Sequence, residues 1–223
     1  MPNEVKTFPA PWKLRGHGYV LVYRFDRSFA VNQTFLTPEH ARRFAGGLGA
    51  VMLVRYDQSD AGPYDELLMM PGKLAFGSRR WHTISKIYVS TRESVVNGRL
   101  NWAIPKELAQ FDFAQDGPNR ESVTVTVDEE PVLESRMERF GIPFPVYTRL
   151  LPFPLIQEQP GGRLLETVFS GYGIGRLVRI KRLAVNPERF PDISRVKPLL
   201  AIRIDGFRMT FPVAKEIRTA NVT

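Results

Sequence analysis

Short runs in which apolar and polar residues alternate constrain this chain more than any other feature. "SVTVTV" (122–127) and the "LVRIKRL" core of "RLVRIKRLAV" (176–185) repeat every two residues, the period at which a strand turns one face inward and one to water. "GYVLVYRF" (18–25), "GAVMLVRY" (49–56), "ISKIYV" (84–89), "QFDFAQ" (110–115), "LLETVFSGYG" (164–173) and "LLAIRIDGF" (199–207) are likewise rich in β-branched and aromatic residues and read as strands. Strands spread over the whole length, without regular helical partners, exclude a doubly wound parallel sheet.

Helical signals are few. "TPEHARRFA" (37–45) offers Thr37 as a cap, Pro38 in the first turn and Glu39 at the positive end of the helix. "STRESVVNGR" (90–99) carries Ser90 and Glu93 at capping-box spacing. The expected fold is therefore α+β and mainly β, a curved or barrel-like sheet with few short helices. The proline-rich "IPFPVYTRLLPFPLIQEQPGG" (142–162) is the best candidate for an internal linker. Its apolar content reads instead as a packed excursion, so a single domain over residues 1–223 is expected.

Composition narrows the function. The 223 residues include no cysteine, which removes disulfides, thiolate metal sites and a cysteine nucleophile. That absence, with no apolar leader in "MPNEVKTFPAPWKL", predicts a cytoplasmic protein. No stretch is long and apolar enough for a membrane span. A net charge of +8 invites a polyanion, but the 31 basic residues are dispersed, with no block of like charges. Neither nucleic acid nor membrane is the expected partner.

Two apparent sites are set aside. His17, His40 and His82 lie far apart, without a second ligand at metal-binding spacing. "SGYGIGRL" (170–177) imitates a phosphate loop but lacks the dinucleotide spacing and sits between strand-like runs, so it reads as a bulge or bend in a strand. The basic residues Arg176, Arg179, Lys181 and Arg182 that follow read as the wet side of that strand.

Three segments remain: "PYDE" (63–66), "KIYVSTRESVVNGR" (86–99) and "NWAIPKEL" (101–108). In that order and separation they resemble the acetoacetate decarboxylase family and its wider superfamily. The likeness is clearest over residues 61–113 and extends more loosely to "PWKLRGHGYVLVYRFD" (11–26). It implies a Schiff-base lysine at Lys106, an active-site carboxylate at Glu66, and a substrate-binding arginine for which Arg15 is the nearest candidate and Arg24 the alternative. It further implies a small oxo or β-keto acid as substrate, no metal or organic cofactor, and a homo-oligomer.

An imine-forming lysine must react as the neutral amine, which burial among apolar groups favours and an adjacent carboxylate opposes. In the family a second lysine commonly follows the first; here Glu107 does. In an extended segment Glu107 points away from Lys106; in a shared pocket it holds the amine charged. The family also has an acid on the strand before Glu66, where ungapped comparison places Val51. Two readings thus stand: a lyase-like enzyme working through Lys106 and Glu66, or a small-molecule-binding member without the chemistry.

Overall fold

The computed structural model describes residues 5–150 and 153–217. Residues 1–4 of the N-terminal stretch, and Leu151 and Pro152 of the proline-rich segment, lie outside them. In chain order the elements are β1 (Trp12–Tyr23), α1 (Arg27–Gln33), α2 (Pro38–Arg42), β2 (Gly49–Gln58), β3 (Tyr64–Met70), β4 (Lys73–Phe76), β5 (Arg79–His82), β6 (Lys86–Val89), α3 (Arg92–Trp102), β7 (Lys106–Leu108), β8 (Gln110–Gln115), β9 (Arg120–Val127), β10 (Glu130–Tyr147), β11 (Leu155–Glu158), β12 (Leu164–Thr167), β13 (Ser170–Val185), β14 (Leu200–Phe211) and β15 (Lys215–Ile217).

Ten strands form one curved, nearly closed sheet in the order β7-β6-β3-β2-β1-β14-β13-β10-β9-β8, and five short ones form a second, β15-β12-β11-β5-β4. This is the mainly-β, few-helix fold that the alternating runs predict. Neighbours in the large sheet pair antiparallel except β6 with β7, where α3 makes the crossover that a parallel pair needs.

The large sheet buries both of its faces at β2 and β3. Val51, Leu53, Leu67 and Met69 enter one apolar cluster with Tyr19, Leu21, Val123, Leu133 and Phe190. Ala50, Val54, Leu68 and Met70 enter a second one with Trp12, Ile87, Trp102 and Ile104. A strand buried on both faces loses its alternation, which explains why "ELLMM" reads as a continuous apolar run and carried no strand signal.

Other differences have local causes. Helix α2 starts where expected, with Thr37 Oγ1 accepting from His40 N at 3.2 Å and Pro38 in the first turn. The cap of α3 is Thr91, whose hydroxyl accepts from Ser94 N at 3.3 Å; Ser90 Oγ instead accepts from Asp65 N at 2.8 Å. Helix α1, capped by Asp26 onto Phe29 N at 2.8 Å, was not foreseen. The proline-rich segment begins as the last third of the 18-residue strand β10. "SGYGIGRL" lies within β13, with a register shift between Tyr172 and Ile174, and Arg179, Lys181 and Arg182 are exposed.

Candidate active site

"NWAIPKEL" places Lys106 by a sequence of local devices. Helix α3 ends on Ala103 in the left-handed region (φ 55°), whose N–H donates to the Arg99 and Gly98 carbonyls. Pro105 then makes a tight turn in which Lys106 N donates to Ile104 O at 2.8 Å. From Lys106 the chain runs as β7, parallel to β6, with Lys106 opposite Ile87 and Glu107 opposite Tyr88.

That register separates the two charged side chains. Ile87 belongs to the cluster around Trp102, and Tyr88 to the cluster on the other face. Lys106 follows Ile87 and is 3% exposed. Glu107 follows Tyr88, and its carboxylate accepts from Lys86 Nζ at 2.6 Å. The adjacent carboxylate therefore points away from Lys106.

The "NGR" end of α3 builds the seat of the lysine. Gly98 makes room for its stem: a Cβ there would stand 2.6 Å from Lys106 Cδ and 2.8 Å from Cε. Arg99 Nε donates to Lys106 O at 2.8 Å. Asn97 holds the N-terminal segment over the helix, donating to Lys6 O at 2.9 Å and accepting from Phe8 N at 2.6 Å.

The ammonium lies 3.0 Å from Glu66 Oε2 and donates to Ser94 Oγ at 3.0 Å. It also stands 4.9 Å from the centre of the Tyr64 ring, within cation–π range. Glu66 is 4% exposed, and its other oxygen accepts from Tyr56 OH at 3.1 Å. Burial, followed by the charge of Glu66, pushes both phenols well above the ordinary tyrosine value. Both therefore remain hydrogen-bond donors at neutral pH.

Lys106, Glu66, Tyr56 and Tyr64 form one wall of a cavity of about 570 Å³, mouth included, otherwise lined by Trp12, Leu14, Met52, Leu68, Met70, Ile84, Ile87, Trp102, Ile104, Leu155, Phe169, Met209 and Phe211. The Trp12 and Trp102 rings meet edge to face at 5.0 Å. Their indole N–H groups are committed to the carbonyls of Phe8 (3.0 Å) and Pro212 (2.7 Å), which leaves apolar surface towards the cavity. Among the described residues Lys106 and Glu66 are the only charged ones of this lining.

The remaining expected site residues are elsewhere. Arg15 is exposed and lines a separate open depression with Lys13, Arg149 and Arg208. Strand alternation accounts for this, because Trp12 and Leu14 are the β1 residues facing the cavity. Arg24 is exposed beyond the end of β1. Val51 is in the cluster on the opposite face, and Met52, Val54 and Tyr56 are the β2 residues on the cavity side. Among the described residues no second acid stands beside Glu66 in the lining.

Sequence reasoning missed Ser94, Gly98 and Tyr56. Ser94 and Gly98 lie in the quoted helix at i and i+4, one helical face, and that spacing was the available signal. Tyr56 had none, since only the pairing of β2 with β3 brings it to Glu66. Among the described residues no three His, Asp or Glu gather in a way that could hold a metal ion, and no helix is long and apolar enough to cross a membrane.

The fold has known counterparts. An acetoacetate decarboxylase from Legionella pneumophila has the same fold, with a TM-score of 0.70, 14% identity, and coverage of 98% of this chain and 92% of that one. The enduracididine biosynthesis enzyme MppR complexed with pyruvate superposes at 0.65, with 15% identity and coverage of 98% and 94%. An acetoacetate decarboxylase-like enzyme from Sphingomonas wittichii superposes at 0.66, with 14% identity and coverage of 98% and 96%. In sequence, the NEOXANTHIN-DEFICIENT 1 protein of Oryza sativa subsp. japonica is 28% identical over 104 residues, 45% of this chain and 33% of that protein. The chain thus matches only about a third of the length of this relative. The acetoacetate decarboxylase family model matches residues 2–139, well over half of the sequence, and the chain belongs to the acetoacetate decarboxylase family.

Proposed function

We propose that the protein is an imine-forming enzyme acting on an oxo acid, of the decarboxylase type, with Lys106 as nucleophile and Glu66 as its proton relay. The observation that carries this reading is a lysine amine buried at the wall of an apolar cavity, 3.0 Å from a carboxylate that is itself buried. Lysine, unlike arginine, can give up its proton, and Glu66 is placed to receive it.

Transfer of that proton to Glu66 leaves a neutral amine, which adds to the substrate carbonyl to form a carbinolamine. Glu66 returns the proton to the departing hydroxyl, and water leaves as the protonated imine forms. In a β-keto acid the bond to the carboxylate then breaks, its electron pair passes into the imine as an enamine, and carbon dioxide departs. The enamine takes a proton from water at carbon, and hydrolysis releases the ketone and the lysine. The apolar lining supports the middle step, because it disfavours the substrate carboxylate relative to the neutral products.

Borohydride added with a panel of oxo acids is expected to leave a reduced adduct on the intact protein, absent in Lys106→Ala. An adduct that persists in that variant would overturn the role of Lys106.

A second reading, a binding member without the chemistry, is favoured by one observation: a lysine held by Glu66, with no further cation in the lining. It predicts thermal stabilisation by ligand with no borohydride adduct for any oxo acid.

A further inference from the structure

The cavity at Lys106 has a second hollow directly beside it. Met52, Tyr56, Phe169 and Met209 line both it and a second, larger groove of about 980 Å³, mouth included, on the same face of the large sheet. The groove runs over β1, β2, β13 and β14, where Val20, Val22, Ile202 and Ile204 line it, and is bordered by Val146 of β10 and by Phe153. Among the described residues its sole charged lining residue is Arg208, which also belongs to the basic depression outside.

The glycine run of "SGYGIGRL" acquires a purpose here. Gly171 and Gly173 contribute backbone and no side chain to the groove. Gly175 lets the β10 wall settle close, since a Cβ there would stand 2.7 Å from Val146 Cγ2 and 2.8 Å from Phe144 Cε2.

We infer that the substrate of Lys106 carries a long apolar chain, laid along this groove while its oxo-acid end reaches the lysine. This rests on the imine reading above and extends it from reaction to substrate class. A two- to four-carbon oxo acid fills only the inner cavity and leaves the groove wet. A medium- or long-chain 3-oxo acid covers it and has no polar group along its tail, which matches a lining made mainly of aliphatic and aromatic side chains, with the Thr148 hydroxyl already engaged by the Gly171 backbone. The groove adjoins the cavity at four shared side chains, Met52, Tyr56, Phe169 and Met209, and this adjacency to Lys106 favours a substrate tail as occupant over a second copy of this chain.

The test is a series from acetoacetate to 3-oxododecanoate, read by borohydride trapping and ketone formation, with 2-undecanone as a non-decarboxylating ligand. Apparent affinity is expected to rise about fourfold per added methylene until the groove is filled. Val20→Trp and, at the border of the groove, Val146→Trp are each expected to reduce the preference for 3-oxododecanoate over acetoacetate by tenfold or more. Trapping of acetoacetate should be unchanged in whichever variant keeps the parent melting temperature. In Lys106→Ala, 2-undecanone should still bind although no adduct forms.

Equal trapping across the series would overturn the long-chain inference and leave the imine reading intact. Binding of 2-undecanone with no adduct from any oxo acid would sink the imine reading and uphold the groove. A dimer that occludes the groove and binds no ketone would overturn the inference.

Discussion

Two buried ion pairs sit on opposite faces of the same large sheet, and they are built for different ends. Arg203 and Glu121, each with a side chain 6% exposed, lie on the face opposite the groove. The guanidinium meets Glu121, donates to Asp205 Oδ1 at 2.8 Å and to Tyr19 OH at 3.0 Å. Gln115 donates to Glu121 at 3.2 Å. Lys106 and Glu66 are as deeply buried, at 4% and 6%. Their cation, however, has three donors and only two hydrogen-bonding partners, and beside it is a cavity. A planar cation that keeps its proton and binds Glu121, Asp205 and Tyr19 from other strands or its own holds strands together. A lysine beside open space is the arrangement that the imine proposal requires.

The largest expected effect therefore falls on the pair away from the cavity. Arg203→Met leaves Glu121 buried without its counter-ion and should cost about 3–5 kcal/mol in urea unfolding. A loss below 1 kcal/mol would mean that Glu121 is solvated after all, and would break the distinction between the two faces.

His82 offers a buried titratable ring whose shift is dominated by burial. It is 2% exposed and packs against Phe153 at 4.8 Å. Burial, with a smaller contribution from Lys73, pushes its pKa down from 6.5 to about 4. The unfolded chain thus takes up this proton near pH 6.5 and the folded chain near 4. Between those values the unfolded state binds more protons. The stabilisation is whole above pH 6.5, declines as pH falls, and is lost by about pH 4, a change of roughly 3 kcal/mol. Melting curves over that window should show the decline, and His82→Phe should flatten it; an unaltered slope in the variant would assign the acid sensitivity to other groups.

What was legible in the sequence divides along the same line. Alternation in "SVTVTV" and "RLVRIKRLAV" reports the face of a strand, and Thr37–Pro38 reports a helix start; both are local signals. The ordered motifs pointed to Glu66 and Lys106, which the fold brings to 3.0 Å. Pairing across strands is not local, and a one-residue shift exchanges the faces. Hence Val51 stood where Met52 faces the cavity, and Arg15 was favoured although Leu14 is the inward residue. The Arg203–Glu121 pair was invisible for the same reason, because only the stacking of β14, β1 and β9 around one core brings it together.

A smaller loss is expected at the cavity. Lys106→Met removes the counter-ion of Glu66, but Tyr56 still donates to that carboxylate, and water entering the cavity can replace the amine. The cost should be about 1–3 kcal/mol, clearly below that of Arg203→Met in the same urea titration. Equal losses would mean that the cavity stays dry and that the two pairs differ only in name.

The smallest effect belongs to the residue that most obscured the sequence. Glu107 adjoins Lys106 in the chain but shares none of its surroundings. It is half-exposed on the other face of β7 and bonded to Lys86 at 2.6 Å. An ion pair this open to solvent contributes about 0–1 kcal/mol. Glu107→Gln should therefore shift the urea midpoint little and leave borohydride trapping at Lys106 unchanged, including its dependence on pH. Were Glu107 to act on the amine through the strand, its neutralisation would instead favour the neutral lysine and displace the trapping profile towards lower pH. The direction of that displacement makes the test one-sided. A static profile supports the separation of the faces by β7, and an acid shift would show that the two carboxylates act on one lysine together.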